Sequence, residues 1–227
     1  MLRPTITRQG TRFHQSLRKS FSSGDTDKTP IKHVIITGAS GGIGRAIALR
    51  FAMEGAKCTL IGRTESKLHK SLRLLSPLEN HRVVVGDVGK EAFWKDLAKK
   101  MKEDKETCNV LVNAAGCIIN IASLLGVKGG RGSSVYAASK AGILGFTRAL
   151  AAEAGPSGVR VNAVVPGYIE TEMTSGMDPA LFESTKNAIP LQRFGTAEEV
   201  ADAAFFLAAN QYANNCTLNL DGGLSAV

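Results

Sequence analysis

Tyr136 and Lys140 stand four residues apart in the run YAASK, so a helix through them carries a phenol and an ammonium on one face. A phenol titrates at about 10; a cation beside it favours the phenolate, and each tenfold gain in acidity corresponds to about 1.4 kcal/mol. A phenol so placed can give a proton to a carbonyl oxygen while a hydride arrives at the carbon. Lys140 could also hold a ribose. Ser123 follows a short apolar run and could offer a second hydrogen bond to the same oxygen, although a serine ending a strand is otherwise a turn residue. One Tyr-x-x-x-Lys pair is a weak signal by itself.

A hydride needs a carrier, and residues 31–45 (IKHVIITGASGGIGR) offer a place for one. His33 to Thr37 is β-branched and apolar, enough for one buried strand, and Gly38, Gly41, Gly42 and Gly44 follow before the helical run Ala46, Ile47, Ala48, Leu49, Arg50, Phe51, Ala52. Side-chain-free positions let the backbone approach a pyrophosphate, and a helix N-terminus aims free N–H groups at it. The spacing Gly-x-x-x-Gly-x-Gly is not the G-x-G-x-x-G fingerprint, although its context is the same. No Gly-Lys-Ser/Thr follows, which excludes a P-loop. Gly38-Ala39-Ser40-Gly41-Gly42 fits the G-x-S-x-G nucleophile elbow, but that chemistry needs a late His. The last His is His81, and no strand–loop pattern makes His69 or His81 a base. A glycine turn without a ligand is the plain alternative.

The residue ending the second strand bears on the carrier. A free ribose 2′-hydroxyl is usually held there by Asp or Glu, whereas a 2′-phosphate calls for a cation. Arg63 occupies the position, with Thr64 beside it and no acid before Glu65. NADP(H) is thereby favoured over NAD(H), against the simpler reading of a solvent-exposed arginine.

These groups need a scaffold, and 227 residues suffice for one α/β domain with a sizeable core. Strands are expected over 57–61, 81–85, 109–112, 118–122, 159–165 and 217–220, with helices over 66–75, 91–101, 136–154, 180–187 and 197–209. This alternation implies a parallel sheet with helices on both faces. No apolar run approaches the roughly 18 residues of a membrane span. Cys58, Cys108, Cys117 and Cys216 are scattered, without a C-x-x-C pair or adjacent His, so no zinc site or disulfide framework is expected. Of the net charge of +8, Arg3, Arg8, Arg12, Arg18 and Lys19 contribute +5 before the first acid, Asp25. An Arg- and Ser-rich, acid-free, amphipathic start describes a mitochondrial transit peptide, the alternative being a disordered basic tail. Residues 1–28 are assigned to that leader and 29–227 to the nucleotide-binding domain.

Together the motifs resemble the short-chain dehydrogenase/reductase family, and within it the 3-oxoacyl-acyl-carrier-protein reductases and the related mitochondrial carbonyl reductase. The matching stretches are TGASGGIG (37–44), GDV (86–88), NAAG (113–116), IINIAS (118–123), YAASK (136–140), PGYIET (166–171) and DGG (221–223). The resemblance implies a single-domain, doubly wound parallel sheet of Rossmann-like type. It places Gly38, Ala39, Ser40, Gly41, Gly42, Ile43, Gly44 and Arg63 at the NADP(H) phosphates, and Asp87 and Val88 at the adenine. Asn113, Ala114, Ala115 and Gly116 would border the cofactor, with Pro166, Gly167, Ile169 and Thr171 farther along it, the last two at the nicotinamide carboxamide. Ser123, Tyr136 and Lys140 inherit the catalytic roles. The implied reaction is NADPH-dependent reduction of a 3-oxoacyl thioester, on acyl carrier protein, in mitochondrial fatty acid synthesis. General carbonyl or quinone reduction, an NAD-linked hydroxyacyl dehydrogenase and an inactive shortened isoform are the alternatives. The resemblance further implies a tetramer, no nucleic acid, no membrane span and no metal.

One departure is large. In the family a long segment, with a helix and a catalytic Asn, separates NAAG from IINIAS; here only Cys117 does, so a deletion falls between strands four and five. Asn113 and Asn120 are family residues of their own and do not replace that Asn. Parallel neighbours need a crossover of about a dozen residues. Returning along a five-residue strand covers about 17 Å, whereas Ala115, Gly116 and Cys117 reach about 10 Å. The expectation is that one segment leaves the sheet or that both run on as one irregular strand.

Overall fold

The computed structural model describes residues 31–112 and 117–226; the leader and Asn113, Ala114, Ala115 and Gly116 lie outside the described residues. Seven parallel strands stand in the order β3-β2-β1-β4-β5-β6-β7: β1 (His33–Thr37), β2 (Lys57–Gly62), β3 (Arg82–Val85), β4 (Val110–Val112), β5 (Cys117–Ile121), β6 (Arg160–Pro166) and β7 (Thr217–Leu220). The order reverses between β1 and β4. In such sheets a crevice opens there at the carboxyl ends of the strands.

Both faces are covered. Helix α1 (Gly42–Met53) buries Ala46, Ile47, Ala48 and Phe51, and α7 (Ala197–Ala209) buries Val200, Ala201, Ala204 and Leu207 in the same core. Alanines on both helices let their backbones approach, so the two pack as a unit against β1, β4 and β5. The Thr196 hydroxyl accepts from the Glu199 N–H while Glu199 accepts from the Thr196 N–H, a capping box worth about 1 kcal/mol at the start of α7. On the other face α3 (Glu91–Glu103) seats Leu97 and Met101 on Ile35, Ile61 and Leu111, while α5 (Ser134–Ala154) seats Ala151 on Ile118 and Val161.

Most elements fall where periodicity put them, with ends displaced by one to three residues. Helix α2 (Glu65–Leu72) stops short of Leu75, which turns inward and is buried; Ser76 precedes Pro77, and a residue before proline avoids helix. A one-turn helix, α4 (Leu125–Lys128), ends at Gly129 with φ of 75° and has no counterpart among the expected elements. Helix α6 (Pro179–Ala188) starts at an Asp178 carboxylate that accepts from the Ala180 and Leu181 N–H groups.

The expectation that the shortened connection would expel β4 or β5 is overturned. The two strands pair in parallel, with Leu111 opposite Ile118. Because β5 is slid forward in this register, the return covers about two residues of rise and one strand spacing, roughly 7 Å by 5 Å. Five Cα–Cα steps from Val112 to Cys117 reach about 19 Å. A return along a whole strand within three residues, on which the expectation rested, is not what this register asks. Helix α5 is thinly covered: of its 21 residues only Thr147 and Ala151 are buried, with Val135 83% and Phe146 55% exposed.

At the amino ends of the strands a buried polar chain fixes a histidine tautomer. His33 Nδ1–H donates to the Thr107 carbonyl (3.1 Å), so Nε2 accepts from the Thr59 hydroxyl (2.8 Å), whose oxygen accepts from Arg82 Nε (3.1 Å). Burial pushes His33 below the ordinary value of 6.5; the Thr107 bond and Glu106 oppose this, and Lys57 and Arg82 add to it. Such a group binds a proton more readily unfolded than folded. Its stabilisation is complete above 6.5 and is lost as pH falls from 6.5 toward the lowered value, by up to about 1.4 kcal/mol per pH unit. The melting temperature should therefore fall between pH 6.5 and 5. His33→Gln should flatten that slope without abolishing it, because burial also lowers His81. Thermal melts across this range check it; an unchanged slope in the variant is the contrary result.

Candidate active site

The turn from β1 into α1 has the geometry of an anion cradle. Gly38 sits at φ +65°, a conformation that side chains disfavour, and a Cβ at Gly44 would lie 2.3 Å from the Gly38 carbonyl oxygen. Glycine at 44 is thus what lets α1 start directly against the turn. Gly41, the residue that caps α1, brings no side chain to its first N–H groups, and no acid stands in the first turn. Ala39 is buried, and its carbonyl accepts from the Ser71 hydroxyl (2.7 Å), which ties the turn to α2. Ile43 packs partly buried on the core, and the Ser40 hydroxyl lies 3.3 Å from where a Cβ of Gly62 would stand. Uncapped N–H groups, open backbone and absence of acid fit a dinucleotide pyrophosphate.

Next to this turn Arg63 is exposed at the carboxyl end of β2. Farther along the same edge Asp87 and Val88 follow β3. The Asp87 carboxylate accepts from the Gly89 N–H (3.0 Å), and the Val88 carbonyl accepts from Trp94 Nε1 (2.8 Å), so Asp87 is held by its own loop and Val88 by α3.

The proton-handling residues meet through Lys140. Its Nζ lies 5.6 Å from the centroid of the Tyr136 ring and donates to the Ile121 carbonyl at 3.0 Å. Ile121 ends β5, two residues before Ser123. Burial pushes the Lys140 ammonium below its usual value. The Ser123 hydroxyl accepts from the Leu125 N–H (3.2 Å), and the Leu124 N–H donates to the Pro166 carbonyl (2.8 Å), which fixes the exit of β5 against the exit of β6. Tyr136 is 46% exposed, so its ring opens to solvent rather than into the core.

Pro166 closes β6, and the Gly167 N–H donates to Leu220 (2.8 Å). Ile169 bridges to Gly195, and the methyl of Thr171 lies 3.3 Å from where a Cβ of Gly42 would stand. The structure therefore brings Thr171 onto the start of α1. A cavity of about 480 Å³ lined by Tyr168, Ile169, Leu191, Val200 and Asp221 shares only Ile169 with the expected site residues. Its lining includes none of Ser123, Tyr136 and Lys140.

Two supporting contacts were not foreseen from the sequence. The buried Asn120 amide donates to the Thr147 hydroxyl (2.9 Å), and Thr147 in turn donates to Ile143 (2.8 Å), locking α5 to β5. The signal available was Thr147 on the Lys140 face of α5, seven residues on. The Ile121 carbonyl under Lys140 had no side-chain signal.

Comparison with known proteins gives this geometry its relatives. Residues 32–118 match the family described as short chain dehydrogenase, and 114–225 that described as enoyl-(acyl carrier protein) reductase. A 3-oxoacyl-[acyl-carrier-protein] reductase of Chlamydia muridarum is 33% identical over 241 aligned positions, covering 86% of this chain and 97% of that one. The chain belongs to the short-chain dehydrogenase family. Carbonyl reductase family member 4 of Danio rerio is 35% identical, with 84% and 96% covered. Among solved structures, a short chain dehydrogenase from Bacillus anthracis superposes with a TM-score of 0.78 at 30% identity, with 86% and 97% covered. An actinorhodin polyketide ketoreductase solved with NADPH gives 0.78 at 26%, with 86% and 98% covered. This short-chain dehydrogenase is thus an NAD(P)-dependent oxidoreductase on a Rossmann-like sheet. The alignment to the Chlamydia relative spans more positions than this chain has residues, so relatives carry a segment that this chain lacks.

Proposed function

We propose that this short-chain dehydrogenase reduces a 3-oxoacyl thioester, carried on acyl carrier protein, with NADPH, in mitochondrial fatty acid synthesis. The observation that carries it is the Lys140 ammonium held between the Ile121 carbonyl and the Tyr136 ring. The relatives named 3-oxoacyl-[acyl-carrier-protein] reductase support the substrate class. Bound NADPH supplies the hydride. Ser123 Oγ–H donates to the substrate's keto oxygen and orients it, and Tyr136 delivers the proton to that oxygen as negative charge develops. Lys140 favours the phenolate left behind, its partly buried ammonium being less screened than one in water. Oxidation of added NADPH by the purified chain with acetoacetyl thioester tests the reading; oxidation with quinones alone would favour a general carbonyl reductase.

Arg63 is assigned to the 2′-phosphate. Such a charge-assisted contact contributes on the order of 1.5–3 kcal/mol. Arg63→Asp is expected to weaken NADPH binding at least tenfold, which is about 1.4 kcal/mol, and to leave NADH unchanged or improved. Equal affinity of the unaltered protein for both cofactors, in a fluorescence titration, is the contrary result.

The five cations before Asp25 support import into mitochondria with removal of the leader. Sequencing of the mature amino terminus checks this, and a cytosolic chain starting at Met1 would overturn it. A second reading, an inactive shortened isoform, is favoured by the absent segment itself.

A further inference from the structure

We propose that Lys67 and Glu172 form a latch holding the Ile169–Ser175 turn against the glycine turn, so that the pair slows escape of the dinucleotide. The inference rests on the reading that the crevice beside Gly38–Gly44 holds a dinucleotide.

The turn is rigid in itself. Thr174 Oγ1 accepts from the Thr171 N–H (2.9 Å) and donates to the Ile169 carbonyl (2.8 Å), and the Ser175 hydroxyl donates to Glu172 (3.0 Å). Its root is fixed: the Gly195 N–H donates to Tyr168 (2.9 Å), and the Glu170 N–H donates to Gly195 (2.8 Å). Two contacts set where its far end rests. Thr171 lies on Gly42 at the head of α1, where its methyl meets bare backbone. Next to it the Glu172 carboxylate is 3.9 Å from Lys67 Nζ, in the first turn of α2 and four residues beyond Arg63.

Lys67 and Glu172 therefore join two elements that flank the Ser40–Gly42 turn, with Gly62 against Ser40 and Thr171 against Gly42 completing the enclosure. Glu65, the one acid of α2, lies 3.7 Å from His69 Nε2 on a different face of the helix from Lys67 and does not occupy it. Both partners are well exposed, 56% for Lys67 and 75% for Glu172. Pairs of this kind are weak. Weakness suits a contact that must open at every turnover, because a cofactor that leaves after each cycle cannot be held behind a strong closure.

The test uses Lys67→Glu, Glu172→Lys and the double exchange in the full chain. Each single variant should speed NADPH release about two- to fivefold, the range of an exposed ion pair, with less effect at high salt. In cofactor-free protein each should also raise amide exchange across residues 169–175. The double exchange should restore both. Single variants indistinguishable from the unaltered chain would overturn the latch. So would a double exchange that releases NADPH as fast as Lys67→Glu while NADH release stays unchanged, since position 67 would then meet the 2′-phosphate directly. If no dinucleotide binds, the reading of the crevice fails separately, and the exchange measurement still decides the latch.

Discussion

Tyr136→Phe should lower kcat by two to four orders of magnitude while leaving the melting temperature and NADPH affinity unchanged. General acid catalysis contributes about 10²–10⁴ in rate, and the substitution removes the proton donor alone. The ring stays, so the cation above it at 5.6 Å stays, as does the Lys140 bond to Ile121. Nothing in the core changes, because Tyr136 is half exposed. Loss of rate with unaltered cofactor binding is the signature of a group acting in the transition state. A phenylalanine variant within tenfold of the parent would remove Tyr136 from the mechanism.

The second large effect concerns the absent segment. Restoring the residues found in a full-length relative between Gly116 and Cys117 is expected to raise turnover of acetoacetyl thioester at least a hundredfold, and to raise the melting temperature. The structure argues for this in three ways. The Asn120 amide is buried and committed to Thr147, so it cannot stand in for the absent family Asn. Among the described residues β5 pairs with β4 at Leu111 and Ile118, whereas five pairs hold it to β6. Misplacing a reacting group by about 1 Å can cost a hundredfold. Finally, α5 leaves Val135 and Phe146 in water, where added chain would cover apolar surface. Purified chain that melts cooperatively at the full-length temperature and turns over at the full-length rate would refute the expectation.

The glycine turn, the Tyr136–Lys140 pair and the order of strands and helices could be read from residues 31 to 220 because each rests on local chemistry. Glycine where φ is positive, a four-residue spacing and buried β-branched runs carry their meaning within a few positions. What could not be read depends on register. A slide of β5 along β4 decides whether a four-residue connection suffices, and no local pattern encodes it. The same holds for Lys67 meeting Glu172 and Asn120 meeting Thr147, whose partners are set by how α2 and α5 lie on the sheet. Helix α4 escaped for another reason: its single turn is too short to show a period.

The short connection also changes the order in which the sheet can assemble. Parallel partners are normally remote in sequence, as His33 is from Lys57, Cys117 from Arg160 and Ala163 from Thr217. Each such pair must close a long loop before any contact rewards it, which is why parallel sheets form slowly. Leu111 and Ile118 are close neighbours along the chain, so β4 and β5 can meet at small entropic cost, ahead of the rest. A φ-value survey of folding should therefore find conservative changes at Leu111 and Ile118 acting mainly on the folding rate, with those at the β6–β7 pairing acting on unfolding.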